Sequence, residues 1–69
     1  MTFGVRIGQL RTERGWSQLE LANKADMSQA TIYYYEAGKG LPRIDTLARL
    51  SRAFGMTINE LLKGVEFSC

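Results

Sequence analysis

The feature that most constrains the fold of this chain is a helical apolar pattern that is interrupted at short intervals. Apolar residues recur three and four positions apart, and Gly, Asp or Pro breaks the pattern about every ten to fifteen residues. No stretch alternates apolar and polar residues over the length of a strand. The chain is therefore predicted to be all-α, built from several short helices.

Capping residues predict where these helices begin. Ser17 with Glu20, and Thr57 with Glu60, have the spacing of a capping box, in which the hydroxyl and the carboxylate each accept a hydrogen bond from a free backbone N–H. Thr2 and Ser28 are further N-cap candidates. The five predicted helices span residues 2–14, 17–25, 29–37, 44–54 and 57–63.

Composition limits the chemistry that the chain can perform. Its 69 residues include no His and one Cys, Cys69, so neither a zinc site nor a Cys/His or Ser/His catalytic pair is expected. We expect no enzymatic activity, cofactor, metal or small-molecule substrate. Because a single Cys cannot form an internal disulfide and the apolar runs are short, we expect a cytoplasmic protein without a membrane span or signal peptide. The role of Cys69 stays open.

The second and third predicted helices form one unit. The small side chain of Ala22 allows the two helices to approach closely, Asp26 and Met27 make a tight turn, and Ile32 fills the angle between the helices. This is the physical specification of a helix-turn-helix, whose second helix can enter the major groove of DNA. The predicted recognition helix runs from about residue 29 to 37.

The sequence resembles the lambda-repressor-like, Cro-type (XRE) DNA-binding domains along nearly its whole length. The residues that carry the resemblance are Ile7, Leu10, Arg11, Gly15, Trp16, Ser17, Gln18, Leu21, Ala22, Met27, Ser28, Thr31, Ile32, Glu36, Gly38, Lys39, Pro42, Leu47 and Leu50. The family implies a compact five-helix domain that binds operator DNA, usually as a twofold dimer. We expect this domain to span residues 1–64, followed by a short tail at 65–69.

The resemblance also implies roles for individual residues. Gln18 matches a glutamine that anchors a phosphate, and Gln29 matches a position that reads a base, where its amide can bond adenine at two edge atoms. Arg11 and Glu36 match a structural ion pair that does not contact DNA. The predicted DNA-binding residues are Gln18, Ser28, Gln29, Ala30, Thr31, Tyr33, Tyr34, Lys39 and Arg43.

Some of these residues also have plainer interpretations. Gln18 and Gln29 could simply be polar residues in the first turns of helices, and Lys39 and Arg43 could be solvated charges. Three consecutive tyrosines cannot all face the core of a helix, and the spacing from Ile32 favours Tyr35 as the inward one. Tyr33 and Tyr34 then form an exposed aromatic patch.

Two departures from the family pattern affect the expected binding. The tyrosines at 33 and 34 replace residues whose base preference is easier to decode. Asp26 occupies a turn position that is usually Gly, where Asp tolerates the left-handed conformation better than most residues but adds a negative charge. The net charge of the chain is only +2, and the positive charge would need to be concentrated on the recognition face to favour DNA.

The leading hypothesis is a sequence-specific transcriptional regulator, with repression favoured over activation. It would act as a homodimer on an inverted repeat, with a dimer surface near Ile58, Leu62, Val65 and Phe67. The target genes are open, with prophage, restriction–modification and toxin–antitoxin operons all compatible. The alternative is a protein-interaction module on the same scaffold, such as an antitoxin that masks a partner protein.

Overall fold

The computed structural model describes residues 1 to 67, so the Cys69 question lies outside the described residues. Within them the chain forms five α-helices and no strand, as predicted. The helices are α1 (Phe3–Glu13), α2 (Gln18–Ala25), α3 (Gln29–Glu36), α4 (Ile44–Phe54) and α5 (Ile58–Leu61). The main difference from the prediction is at α5, which ends at Leu61 instead of near residue 63.

Side-chain caps begin four of the five helices. Thr2, Ser17, Ser28 and Thr57 each accept a hydrogen bond from the backbone N–H three residues later. Both predicted capping boxes are present, with the Glu carboxylate accepting from the backbone N–H of the cap residue at 2.9 Å in each. These bonds satisfy backbone donors that the first turn of a helix leaves without partners.

Each helix contributes one large, fully buried aliphatic side chain to a shared core. These residues are Ile7, Leu21, Ile32, Leu50 and Leu61. None of these short helices would be stable alone in water, so the burial of their apolar side chains against one another stabilises the fold. The core draws residues from all five helices, with α3 packed against α1 and α2, and α4 packed against α2 and α5.

A glycine allows the close approach of α1 and α3. Gly4 is buried within α1, and a Cβ at this position would collide with the backbone carbonyl of Tyr35 in α3. Gly costs up to about 1 kcal/mol of helix propensity relative to Ala. The contact between the two backbones explains why that loss is accepted here.

An aromatic stack closes the other end of α1. Trp16 lies parallel to Phe54 at the end of α4, with ring centroids 5.7 Å apart. The guanidinium of Arg14 covers both rings and donates hydrogen bonds to the carbonyls of Leu10 and Phe54 at 3.1 Å each. Arg14 therefore joins the C-terminal ends of α1 and α4.

The chain after α5 returns to the start of α1. Val65 packs against the core, and the backbone N–H of Glu66 donates to the carbonyl of Met1 at 2.8 Å. The division into a domain at 1–64 and a tail at 65–69 stays a prediction. In residues 1 to 67 no helix has both the length and the apolar character needed to cross a membrane.

Candidate nucleic-acid interface

The turn between α2 and α3 sets the direction in which α3 leaves the core. Asp26 adopts the left-handed conformation with φ 57°, and the N–H of Met27 donates to the carbonyl of Ala22 at 2.8 Å. Arg49 of α4 donates to the carbonyl of Asp26 at 2.8 Å. This bond, which fixes the turn against α4, could not be predicted from the spacing of the residues.

The predicted recognition helix presents most of its surface to solvent. Ile32 is the one α3 residue that is fully buried, whereas Gln29, Ala30 and Tyr33 are exposed. Residues three and four apart lie on the same face of a helix. These three side chains therefore form one continuous outward surface, defined here as the reading face.

The N-terminal end of α3 combines a cap with a hydroxyl pair. Ser28 Oγ accepts from the N–H of Thr31 at 3.1 Å and lies 2.7 Å from Thr31 Oγ1. Because one hydrogen serves the bond between the two hydroxyls, the second O–H is left to donate elsewhere. The backbone N–H groups of Gln29 and Ala30 have no acceptor within residues 1 to 67. This end of α3 therefore offers several donors to an anion.

Arg11 and Glu36 join α1 to the end of α3. Arg11 Nε donates to Glu36 Oε2 at 2.7 Å and Arg11 Nη2 to Oε1 at 3.0 Å, and both side chains are largely buried. Arg11 Nη1 also donates to the carbonyl of Trp16 at 2.8 Å. The hydrogen bonds that Arg11 donates to the Glu36 carboxylate raise the pKa of Arg11 above its usual value.

Gln18 extends this network toward the protein surface. Its amide Nε2 donates to Glu36 Oε1 at 3.2 Å, and the side chain is partly exposed. A side-chain amide carries two N–H donors. One is used by Glu36, and the other is available to a phosphate. The sequence indicated the ion pair and the glutamine separately, but it did not indicate that they share one carboxylate.

The three tyrosines of α3 have three different environments. Tyr33 is the most exposed of them at 60%, and Tyr34 is exposed at 47%. Tyr35 packs against the core and meets Phe3 edge to face, with ring centroids 5.9 Å apart. The inward position predicted for Tyr35 is confirmed, as is the exposure of its two neighbours.

The loop after α3 carries the two cations of the predicted site. Lys39 and Arg43 are exposed, and neither forms an ion pair with any residue between 1 and 67. Two of the acidic residues are used in caps, Glu20 at the start of α2 and Glu60 at the start of α5. Asp26 remains fully exposed beside the turn, with its carboxylate 4.0 Å from Arg49 Nη1. The loop that follows α3 therefore carries two unpaired positive charges within the described residues.

Comparison with known proteins identifies a family. A helix-turn-helix family model matches residues 7–61. The transcriptional activator BcrR of Enterococcus faecalis is 39% identical over 66 residues, which are 96% of this chain and 32% of BcrR. The chain spans about a third to three fifths of the length of the first curated relatives that it matches.

Solved structures show the same arrangement of helices. The DNA-binding domain of the P22 c2 repressor superposes with a TM-score of 0.85 at 28% identity, covering 93% of this chain and 84% of that domain. The biofilm regulator SinR in complex with DNA superposes with a TM-score of 0.81 at 32% identity, covering 88% of this chain and 98% of that one.

Proposed function

The chain belongs to the helix-turn-helix family, of the lambda-repressor-like type, and from this premise we propose that it binds double-stranded DNA sequence-specifically as a transcriptional regulator. In this proposal α3 enters the major groove and α2 lies across the DNA backbone. The relatives are transcriptional regulators, which argues against an enzyme. The alternative of a protein-interaction module is not favoured by these relatives.

The reading face is the observation that carries the proposal. α3 buries Ile32 and packs Tyr35 against the core, while its orientation is fixed by the Asp26 turn and by Glu36 at its opposite end. A helix held at both ends but exposed along its length can be inserted into a groove without unfolding any part of the domain. Gln29 and Tyr33 are exposed, so the packing of the domain does not determine which residue types stand at these two positions.

The proposed contacts divide into base reading and phosphate anchoring. Gln29 suits base reading because its side-chain amide can bond adenine at two edge atoms, and Tyr33 can pack against a thymine methyl. Phosphate anchoring would use the remaining amide N–H of Gln18 and the two loop cations. The proposed DNA interface comprises Gln18, Ser28, Gln29, Ala30, Thr31, Tyr33, Tyr34, Lys39 and Arg43.

We also propose that the protein acts as a homodimer on an inverted repeat. A domain with extents of 30 × 22 × 22 Å has a size that fits two copies side by side on half-sites about 34 Å apart. Ile58, Leu62 and Val65 pack partly against the core, whereas Phe67 is 46% exposed. Phe67→Ser should therefore shift a monomer–dimer equilibrium measured by sedimentation, and an unchanged mass distribution would place the dimer contact elsewhere.

Selection of bound duplexes from a randomised pool, at physiological salt and with the purified protein alone, tests the proposed function. Enrichment of a short inverted repeat supports a dimeric, sequence-specific regulator and supplies its operator. Weak, salt-sensitive binding without enrichment contradicts sequence-specific recognition. A partner pull-down would then test the interaction-module alternative.

A reporter placed behind the selected operator tests the direction of regulation. We propose that the protein is a cytoplasmic repressor. A domain bound to an operator can exclude other proteins from the same DNA, which favours repression. The expected result is reduced reporter expression when the protein is produced. Increased expression, which is the behaviour of an activator such as BcrR, would contradict repression. The proposal of DNA binding would still stand.

A further inference from the structure

The ring of Tyr34 lies directly on the backbone of Gly40. A Cβ built at Gly40 would be 2.8 Å from both Cε2 and Oη of Tyr34 and 3.2 Å from its Cζ. These distances are shorter than van der Waals contact, so the ring occupies the space that any other side chain at position 40 would need. Tyr34 therefore covers Gly40 in the loop at residues 38–43, which we name the cation loop because it carries Lys39 and Arg43.

A row of aromatic rings connects Tyr34 to the core. Tyr34 meets Tyr35 edge to face with ring centroids 5.6 Å apart, and Tyr35 meets Phe3 in the same way at 5.9 Å. Phe3 is buried. Edge-to-face aromatic pairs favour a defined mutual orientation of the two rings. The position of the Tyr34 ring is thus set from inside the domain.

The cation loop has few other attachments. Its backbone begins with hydrogen bonds from Gly38 N to the carbonyl of Tyr35 at 3.0 Å and from Lys39 N to the carbonyl of Tyr34 at 3.2 Å. Beyond these, Gly40 has a positive φ of 75°, and the apolar side chain of Leu41 is 69% exposed. The Tyr34 ring therefore contacts the middle of the loop at Gly40, while Pro42 near its end is half-buried.

We propose that Tyr34 is a positioning residue that holds the cation loop and thereby directs Lys39 and Arg43 toward DNA phosphates, while Tyr33 belongs to the reading face. This inference rests on the proposed DNA binding. It separates two adjacent tyrosines of equal chemistry by their environments. Tyr34 should govern the phosphate contacts that are common to all DNA sequences, and Tyr33 should govern the choice of sequence.

Hydrogen exchange tests the holding of the loop without DNA. Tyr34→Ala should accelerate exchange of the Lys39 amide at least tenfold, because loss of the ring releases the loop that this amide begins. Tyr33→Ala is the matched control and should leave that rate unchanged. The buried Leu50 amide reports global stability in both variants. Equal rates at Lys39 in the two variants would overturn the proposal.

Two glycine variants test the same contact from the other side. Gly40→Ala forces the Tyr34 ring away, whereas Gly38→Ala introduces the same backbone strain at φ 81° with nothing within 4 Å of the new methyl. Gly40→Ala should reproduce the DNA-binding behaviour of Tyr34→Ala, and Gly38→Ala should not. If Gly38→Ala and Gly40→Ala behave alike, the ring contact does not position the loop.

The salt dependence of DNA affinity tests the functional consequence. The slope of log affinity against log salt is negative, and its magnitude grows by about 0.9 for each phosphate contact, so Tyr34→Ala should reduce that magnitude by about one to two. Tyr33→Ala should keep the wild-type slope and change the selected sequence. Tyr34→Phe should also keep the wild-type slope, because its ring still covers Gly40. A slope of smaller magnitude in Tyr34→Phe would reveal a contact between the Tyr34 hydroxyl and a phosphate and would overturn the proposal.

One further outcome separates this inference from the function on which it rests. If the wild-type protein shows no salt-dependent affinity for any duplex, the proposed DNA binding is refuted. The exchange rates of Lys39 still decide whether Tyr34 holds the loop in that case. If the wild type binds DNA and Tyr34→Ala keeps its slope, the positioning role is refuted and DNA binding stands.

Discussion

The two helices of the helix-turn-helix, α2 and α3, are alike in length and in their N-terminal caps but opposite in burial. Each has eight residues and begins at a serine whose hydroxyl accepts from the N–H three positions later. α2 buries Leu21, Ala22 and Ala25, whereas α3 buries only Ile32. The same local rules for starting a helix have therefore produced one helix that supports the fold and one that is displayed on it.

This difference separates stability from recognition. Substitutions on the inner face of α2 should act on folding, because they change the packing of the core. Substitutions on the reading face of α3 should act on DNA, because those side chains contact little of the protein. Substitutions that change the recognised DNA sequence should therefore have little effect on the free energy of unfolding.

The largest expected effect comes from emptying the inner face of α2. Leu21 is fully buried, so Leu21→Ala should destabilise the domain by about 2–5 kcal/mol through lost burial and a residual cavity. Leu19, two residues earlier and 51% exposed, is the matched control, and Leu19→Ala should change stability by less than about 0.5 kcal/mol. Urea denaturation of both variants measures the difference. Similar costs would contradict the assigned inner face.

The next effect concerns the ion pair that attaches the C-terminal end of α3. Three donors, Arg11 Nε, Arg11 Nη2 and Gln18 Nε2, converge on the carboxylate of Glu36. Glu36→Gln keeps the shape but removes the charge and one acceptor, so it should cost about 1.5–3 kcal/mol. Glu13→Gln, at an exposed position of α1, is the control for loss of one negative charge. A cost for Glu36→Gln no larger than for Glu13→Gln would show that the network does not stabilise α3.

Most of the fold could be predicted from the sequence because its signals are local. The capping boxes at Ser17 and Thr57 and the helical apolar spacing depend on residues within one or two turns of each other. For the same reason the inward position of Tyr35 followed from its spacing to Ile32. The early end of α5 was missed because residues 62–64 continue as a turn, in which Lys63 N–H donates to the Glu60 carbonyl three residues earlier, and the apolar spacing does not distinguish such a turn from a helical one.

The connections between distant elements could not be predicted from spacing. Arg49 lies 23 residues from the Asp26 carbonyl that it binds, and Arg14 lies 40 residues from the Phe54 carbonyl. Only the folded chain brings these atoms together. The Tyr34 contact with Gly40 is short in sequence but also depends on the loop conformation, so the pattern of residues gave no signal for it.

A smaller effect tests the displayed helix directly. Gln29→Ala should weaken binding to the selected operator by about 1–3 kcal/mol and relax preference at one base pair in each half-site. Its stability should stay within about 0.5 kcal/mol of wild type, because Gln29 is exposed. Binding measured on the operator and on single-base variants distinguishes these effects. An unchanged binding profile would remove Gln29 from the reading face.

The smallest effect sharpens the comparison at the shared caps. Ser17→Ala and Ser28→Ala should each cost about 1 kcal/mol. In α2 the Glu20 carboxylate still accepts from the N–H of residue 17 after the substitution, whereas in α3 Thr31 Oγ1 loses the hydroxyl that lies 2.7 Å from it. Ser28→Ala should therefore be the more destabilising of the two by a few tenths of a kcal/mol in urea denaturation. The reverse order would mean that the reciprocal bond from Glu20 does not hold the first turn of α2 by itself.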